Sequence, residues 1–160
     1  DNKQIIISNK GNTLYVGGSG GDNYTTIQSA IDDVKNGDTV FVYDDSSPYY
    51  ENINVNKLIT LKGENRTSAI IDGSGINDVV NISADGVVIS GFTIQNSGKN
   101  QGDSGIKSHF TNNISIIDNN IVDNIWGISL FKSLKGILKE NNIIFNEVGI
   151  WIHYCLPNHF

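Results

Sequence analysis

Three unrelated features of this 160-residue chain return at one interval of 22. Gly105-Ile106 recurs as Gly127-Ile128 and Gly149-Ile150. Asn119-Asn120-Ile121 recurs as Asn141-Asn142-Ile143, and Asn124 recurs as Asn146. A fixed period of this size means a small unit that buries its apolar face only by stacking on copies of itself. Upstream, Val87-Val88-Ile89-Ser90-Gly91-Phe92-Thr93-Ile94 matches Ile114 to Ile121 at an offset of 27. The extra residues fall in the polar stretch Ser97 to Ser104, which is expected to bulge from one coil as a loop. Ile59-Thr60-Leu61-Lys62-Gly63 is an earlier copy of the same strand and turn.

Within each unit apolar residues alternate over short runs, which means brief strands between sharp turns. The chain holds 17 Gly and 2 Pro, and its many Ile and Asn favour strands and tight turns. No segment inside a repeat is long enough for a helix, so a helical bundle is excluded. The Leu pattern of leucine-rich repeats is missing, and a period of 22 is not a multiple of the six that left-handed hexapeptide solenoids need. What remains is an all-β, right-handed, single-stranded parallel β-helix with two or three short strands per coil. Asn is expected at its corners because Asn tolerates positive φ. Alternation sends Ile106, Ile128 and Ile150 inward as one stack, with Ser108, Leu130 and Ile152 as the next inward row.

The N-terminal third reads differently. Thr13 to Val16 is a strand and Thr39 to Tyr43 another. Between them Thr25-Thr26-Ile27-Gln28 resembles a capping box opening a short helix, with Thr25 as the cap. Ile27, Ala30, Ile31 and Val34 form its apolar stripe, and Asn36-Gly37 stops it. This helix is expected to act as a lid over the first coil. The expected organisation is one β-helix domain over residues 1–160: an N-terminal strand and capping helix in 1–50, then about five coils in 51–160, about 24 Å tall. The chain opens at Asp1 without a signal segment and ends in mid-repeat at Phe160. The expectation is a fragment of a longer protein, or an end covered by further coils or a partner.

Charge narrows the function. There are 11 basic against 17 acidic side chains, a net charge of −6, and Arg66 is the only arginine. No basic stripe exists, so nucleic acid is not an expected partner. No apolar run approaches the length of a membrane-spanning helix. Cys155 stands alone, which excludes an intrachain disulfide and a Cys-based zinc cluster. Asn-X-Ser/Thr sequons at Asn23, Asn65, Asn81 and Asn113 are glycosylation candidates and agree with a secreted or cell-surface protein.

Tyr24 to Ile31, then Asn36-Gly37-Asp38-Thr39-Val40-Phe41-Val42, resembles the opening of pectin lyase-like right-handed β-helix proteins. Ile59 to Gly63 and Ile70-Ile71-Asp72-Gly73 continue the pattern. Gly86 to Ile94 and the Asn-Asn-Ile repeats are similar to the NosD-like parallel β-helix repeat branch, found in surface proteins and in carbohydrate-binding or sugar-hydrolysing β-helices. The resemblance covers about residues 13–155 and speaks for the fold, because the matched residues are turns, core and cap. The Asp44 to Tyr50 segment departs from it. Pectate lyases of this fold use Ca²⁺-binding carboxylates with an Arg base, and pectin methylesterases need paired Asp and a later Arg. Arg66, in an early turn, fits neither pattern, and no Asp cluster of the polygalacturonase kind stands in residues 100–160.

The residues offer two candidate sites. Asp118 and Glu140 lie one coil apart at a turn, where stacking sets carboxyls about 5 Å apart, near the separation of a retaining glycosidase. A solvated turn ladder relieved by Lys139 is the simpler account. On the outer face, alternation stacks Lys107, Ser129 and Trp151 in one row and His109, Phe131 and His153 in the next. Trp151 and Phe131, flanked by His109 and His153, suit stacking against sugar rings. His109 and His153 stand two coils apart, too far to share one metal, so no metal site is expected. No cofactor is expected; the Asp44-Asp45…Glu51 run offers Ca²⁺ at most an acidic loop. The reading that follows is an extracellular or cell-surface, non-catalytic scaffold or glycan-binding module, leaning away from an enzyme. The alternatives are a polysaccharide lyase or glycoside hydrolase of the pectin lyase-like fold, and a NosD-like periplasmic accessory protein for metal insertion. The expected partner is a polysaccharide or surface glycan.

Overall fold

A computed structural model of the chain describes residues 11–155. Strand β1 (Thr13–Val16) leads to helix α1 (Ile27–Asp33) and strand β2 (Thr39–Val42). The next coil comprises β3 (Tyr49–Tyr50), β4 (Ile53–Val55) and β5 (Thr60–Gly63). It is followed by β6 (Ile70–Asp72), β7 (Val80–Ile82) and β8 (Val88–Ser90), then by β9 (Thr93–Gln95), β10 (Ser104–His109) and β11 (Ser115–Ile117). Strands β12 (Asn120–Val122), β13 (Trp126–Phe131) and β14 (Ile137–Lys139) repeat the pattern, and β15 (Asn142–Ile144) and β16 (Val148–His153) begin another turn.

Each coil contributes one strand to each of three parallel sheets. Their orders are β1-β2-β5-β8-β11-β14, β4-β7-β10-β13-β16 and β3-β6-β9-β12-β15. This is a right-handed parallel β-helix, the hand that parallel crossovers adopt. The register follows the sequence period. Ile128 aligns with Ile150 at 22 residues, Asn120 with Asn142 at 22, and Ile89 with Ile116 at 27. The bulge absorbing the difference is the loop between β9 and β10, as the sequence indicates.

The core is the inside of the coil. Ile106, Ile128 and Leu130 are fully buried, as are Ile89, Ile94, Ile116 and Ile121. Ile150 and Ile152 keep the expected register but are 43% and 40% exposed. The inward rows therefore hold through β13 and open at β16, which among the described residues pairs on one side only. The residues up to Phe160, on which the expectation of a mid-repeat end rests, lie outside the described residues, as does Asp1.

At the corners the expectation holds for Asn96 (φ 57°) and Asn113 (φ 56°) but not for the repeated asparagines. Asn119, Asn124, Asn141 and Asn146 do not adopt positive φ; the residue before each does, namely Asp118 (56°), Asp123 (54°), Glu140 (58°) and Phe145 (57°). The left-handed residue points outward and turns the chain, which frees the following Asn to enter the coil wall. There Asn119 takes the Phe92 N–H on Oδ1 at 3.1 Å and donates Nδ2 to the carbonyls of Ile89 and Ile117. Its own N–H goes to Asn141 Oδ1 at 3.0 Å. Asn124 and Asn146 repeat this at the next corner. At the third corner Phe110, Lys132 and Tyr154 are the left-handed residues, and Thr111, Ser133 and Cys155 follow them. Ser133 N–H donates to Cys155 Sγ at 3.3 Å. Cys155 is thus a rung of a side-chain ladder.

The Gly-Ile repeat belongs to the same device. A Cβ on Gly105 would lie 2.8 Å from Asn124 Nδ2 and 2.9 Å from the Gly127 carbonyl. Only glycine lets one coil settle that closely on the amide ladder of the next.

Helix α1 closes the first coil, with Ile27, Ala30 and Ile31 fully buried. Its cap is Thr26 rather than Thr25: Thr26 Oγ1 accepts the Ser29 N–H at 3.3 Å. The capping-box reading slipped by one residue because either threonine supplies the hydroxyl. The N–H groups of Ile27 and Gln28 are instead satisfied by the Glu51 carboxylate, at 2.8 and 3.0 Å. Lys57 Nζ reaches the carbonyls of Ile31 (3.0 Å) and Val34 (2.9 Å) at the other end. These charges oppose the helix dipole at both termini.

Candidate functional site

The outer face of sheet β4-β7-β10-β13-β16 changes character along its length. At β4 and β7 it is amide: Asn81 Nδ2 donates to Asn54 Oδ1 at 3.2 Å. At β10 it is ionic: Lys107 Nζ holds both oxygens of Asp78, at 3.0 and 2.8 Å, with side chains 24% and 19% exposed. From β10 to β16 it becomes aromatic.

The aromatic part forms one continuous arrangement. Trp151 stacks on Trp126, with centroids 5.0 Å apart and 23° between planes, and lies within 17° of parallel to Phe131 at 6.2 Å. His109 stands 5.5 Å from Phe131 on one side and His153 5.7 Å on the other. At the corner beyond, Lys132 Nζ sits 5.3 Å from the Phe110 and Phe131 centroids and 5.9 Å from that of Tyr154. The three half-buried rings thus form a row in which Trp151 is stacked with both Trp126 and Phe131, and Lys132 is held over its end by cation–π attraction.

His109 is the titratable group set into this face. Its Nε2 lies 3.4 Å from the buried Ser129 hydroxyl. Burial, helped by the positive charge of Lys107 and opposed by Asp78, holds its pKa below the ordinary 6.5. The imidazole is therefore neutral at physiological pH and able to accept a proton.

The structure brings Trp151, Phe131, His109 and His153 together as the alternation indicates. It adds Trp126, Phe110, Lys132 and Tyr154. Trp126 shares parity with Ile128 and would be assigned inward. Trp126 nevertheless lies with the outer row, stacked on Trp151 and with Gly102 beside its ring. Phe110, Lys132 and Tyr154 recur at the 22-residue interval, a signal present in the sequence but hidden by their different chemistry.

Asp118 and Glu140 occupy a different corner. Both are exposed, and each has a basic neighbour: Arg66 Nη1 to Asp118 Oδ1 at 2.8 Å, and Lys139 Nζ to Glu140 Oε1 at 3.1 Å. Arg66 also reaches the Glu140 carbonyl at 3.2 Å, and its own carbonyl accepts Thr93 Oγ1 at 2.6 Å. Its loop thus straps three coils together. The strap bounds an open cleft of about 380 Å³ that Glu64, Lys62 and Asp118 also line. Arg66 and Asp118 are 52 residues apart, so no sequence spacing announces their pairing.

Among the described residues no three His, Cys, Asp or Glu side chains converge as a metal site requires. The carboxylates considered for Ca²⁺ are engaged elsewhere: Glu51 on α1, Asp44 on the Ser68 hydroxyl (2.5 Å) and Asp45 on the Gly18 N–H (2.9 Å). Of the sequons, Asn65 and Asn113 are exposed, whereas Asn23 Nδ2 is bound to the Gly17 carbonyl at 2.5 Å and Asn81 to Asn54.

No protein-family model and no curated protein matches the sequence. Solved structures do match the fold. A pectin methylesterase mutant in complex with a hexasaccharide superposes with a TM-score of 0.57 at 16% identity, covering 77% of this chain and 49% of that one. A second pectin methylesterase–hexasaccharide complex gives 0.58 at 15%, covering 78% and 54%. The chain therefore spans about half the length of these structures, and they share its coil. The reading that leaned away from an enzyme is corrected by this likeness, since the matched examples of the fold are enzymes. The likeness does not bear on a NosD-like branch.

Proposed function

We propose that this chain is the substrate-holding part of an extracellular or periplasmic enzyme that acts on a polysaccharide, with the sugar chain lying on the aromatic face of β10, β13 and β16. The observation that carries this reading is the stacked row Trp126, Trp151 and Phe131, half-buried on the outer face of the sheet with His109 beside it. Such rings stack on sugar faces and exclude water, and a clustered aromatic surface on a polar chain marks a contact. Neutral His109 is the group placed to move a proton at the edge of that platform. The pectin methylesterases that share the fold, seen with hexasaccharides, support a carbohydrate substrate. A second placement of the chemistry, hydrolysis at Asp118 and Glu140, is favoured by Arg66 beside Asp118 and by the cleft they share.

The test uses methyl-esterified and free oligogalacturonates and a neutral cello-oligosaccharide. Tryptophan fluorescence follows binding; released methanol, new reducing ends and unsaturated sugar ends follow reaction. The expected result is a fluorescence change lost in Trp151→Ala, with product formation whose kcat falls in His109→Ala while KM holds. If Asp118→Asn abolishes turnover and His109→Ala does not, the chemistry belongs to the cleft. Absence of any product and any fluorescence change, with Trp151→Ala converting a dimer to a monomer in sedimentation, makes the aromatic face an interface and ends the reading.

A further inference from the structure

A second cluster of aromatic rings lies at the other end of the coil and on a different sheet. Tyr15 of β1 and Tyr43, just past β2, are stacked with centroids 5.9 Å apart and 22° between planes. Phe41 meets Tyr43 edge-on at 5.1 Å and supports the pair from beside it. The tyrosines wall a cleft of about 480 Å³ whose other sides are Asn23, Asp45 and the glycine-rich loop at Gly18. Tyr15 is 42% exposed, a large ring left open to water beside a hollow.

The cleft is built. Gly18 adopts φ +72°, and a Cβ there would stand 2.7 Å from the Tyr43 ring, so only glycine lets the loop close on that tyrosine. Asp45 Oδ1 anchors the loop by accepting the Gly18 N–H (2.9 Å) and the Ser46 hydroxyl (3.1 Å), which leaves Oδ2 to accept from a ligand. Asn23 Nδ2 ties down the Gly17 carbonyl, so its sequon nitrogen serves the cleft wall. An apolar ring face, a carboxylate acceptor and an amide around one hollow are the groups that recognise the face and the hydroxyls of a sugar. Among the described residues the lining holds a carboxylate and no cation, which disfavours a uronate and favours an uncharged sugar.

We infer that this cleft is a second saccharide site, for a neutral sugar unit, separate from the aromatic face of β10, β13 and β16. The inference rests on its own geometry and goes beyond the proposed catalytic reading. Sheet β1-β2-β5-β8-β11-β14 puts β2 four strand spacings from β14, about 19 Å along the axis. The two sites therefore stand at opposite ends of the coil, on different faces. One polymer, or two branches of one glycan, would be held at two points and gain avidity without any new contact.

Both tryptophans lie in the other site, so the two sites report separately. Cello-tetraose and tri-galacturonate are titrated into the full chain. Tryptophan fluorescence reads the β10–β16 face, and tyrosine ring NMR signals assigned through Tyr15→Phe and Tyr43→Phe read the cleft. The expected result is that cello-tetraose shifts the Tyr15 and Tyr43 signals while tri-galacturonate does not. Asp45→Asn should weaken that binding at least several-fold, and Trp151→Ala should leave it unchanged. Tyr43→Phe, which keeps the ring, should retain most of it, whereas Tyr43→Ala with a native circular dichroism spectrum should lose it. Tyrosine signals that stay fixed at saturating cello-tetraose overturn the inference, whether or not the tryptophans respond. Tyrosine signals that move while the tryptophans stay silent uphold it and count against the proposed substrate face instead.

Discussion

At the scale of single residues, the same side chain type has different worth on different coils. Ile128 and Ile150 are register partners, yet one is fully buried and the other 43% exposed. Ile128→Ala should cost about 2–5 kcal/mol, because the methyls removed leave a cavity between two stacked coils. Ile150→Ala should cost well under half of that, since much of its surface stays in water in the folded state. Urea unfolding of the two variants measures the difference, and equal losses would contradict the burial pattern. His109 gives a second residue-scale expectation. Its folded pKa lies below the ordinary value of 6.5 because burial and Lys107 disfavour the charged ring. Above pH 6.5 both folded and unfolded chains carry a neutral imidazole, and the group's contribution is fully present. As pH falls below about 6.5 the unfolded chain takes up its proton first, so stability declines until the folded pKa is reached and is flat beneath it. The melting temperature of the parent should thus fall more between about pH 7 and pH 5 than that of His109→Asn. A parallel pair of curves would show that the ring's surroundings carry no such penalty.

At the scale of elements, the cap helix is held by groups that its own sequence does not contain. Thr26 serves one N–H, whereas Glu51 serves two from the following coil and Lys57 closes the carbonyl end. Glu51→Gln should destabilise by about 0.5–2 kcal/mol, the range of a lost cap with its charge–dipole part. That difference between parent and variant should shrink in high salt, because salt screens the charge–dipole attraction that only the parent holds. Thermal melts at two salt concentrations check this. The existence of α1 and its buried stripe were legible from periodicity, since Ile27, Ala30 and Ile31 are local. Its caps were not, because Glu51 and Lys57 act across 24 and 26 residues. The corners teach the same lesson. The Asn repeat was visible, but its reason was assigned to backbone conformation. Asp118 and Glu140 carry the left-handed turn, and Asn119 and Asn141 carry the hydrogen bonds. A period locates equivalent residues without saying which partner each one meets.

At the scale of the whole molecule, the coil is a one-dimensional array in which each turn touches only its neighbours. The rows Trp151/Ser129 and His153/Phe131/His109 followed from that array and from two-residue alternation. Trp126 and the Arg66–Asp118 strap did not, because Trp126 breaks the two-residue alternation and the strap depends on a loop crossing three coils. Such an array has stability that is roughly a sum over coils and their interfaces, and it opens most easily at its weakest end. Here the ends are unequal. Helix α1 covers the first coil with fully buried side chains, whereas among the described residues β14, β15 and β16 pair on one side only and leave Ile144 40% and Phe145 80% exposed. Native-state hydrogen exchange should therefore show a gradient. Amides of β8, β9, β10 and β11 should exchange only through global unfolding, and those of β15 and β16 through local opening of much lower free energy. Trp151 and His153 lie on β16, so the aromatic face is completed by the least protected strand. An oligosaccharide bound there should raise protection in β16 and β13 while leaving β4 and β7 unchanged, because binding selects the closed state of the end coil. Uniform protection from β4 to β16, with or without saccharide, would mean that the coil unfolds as one unit and that its end is not a hinge for binding.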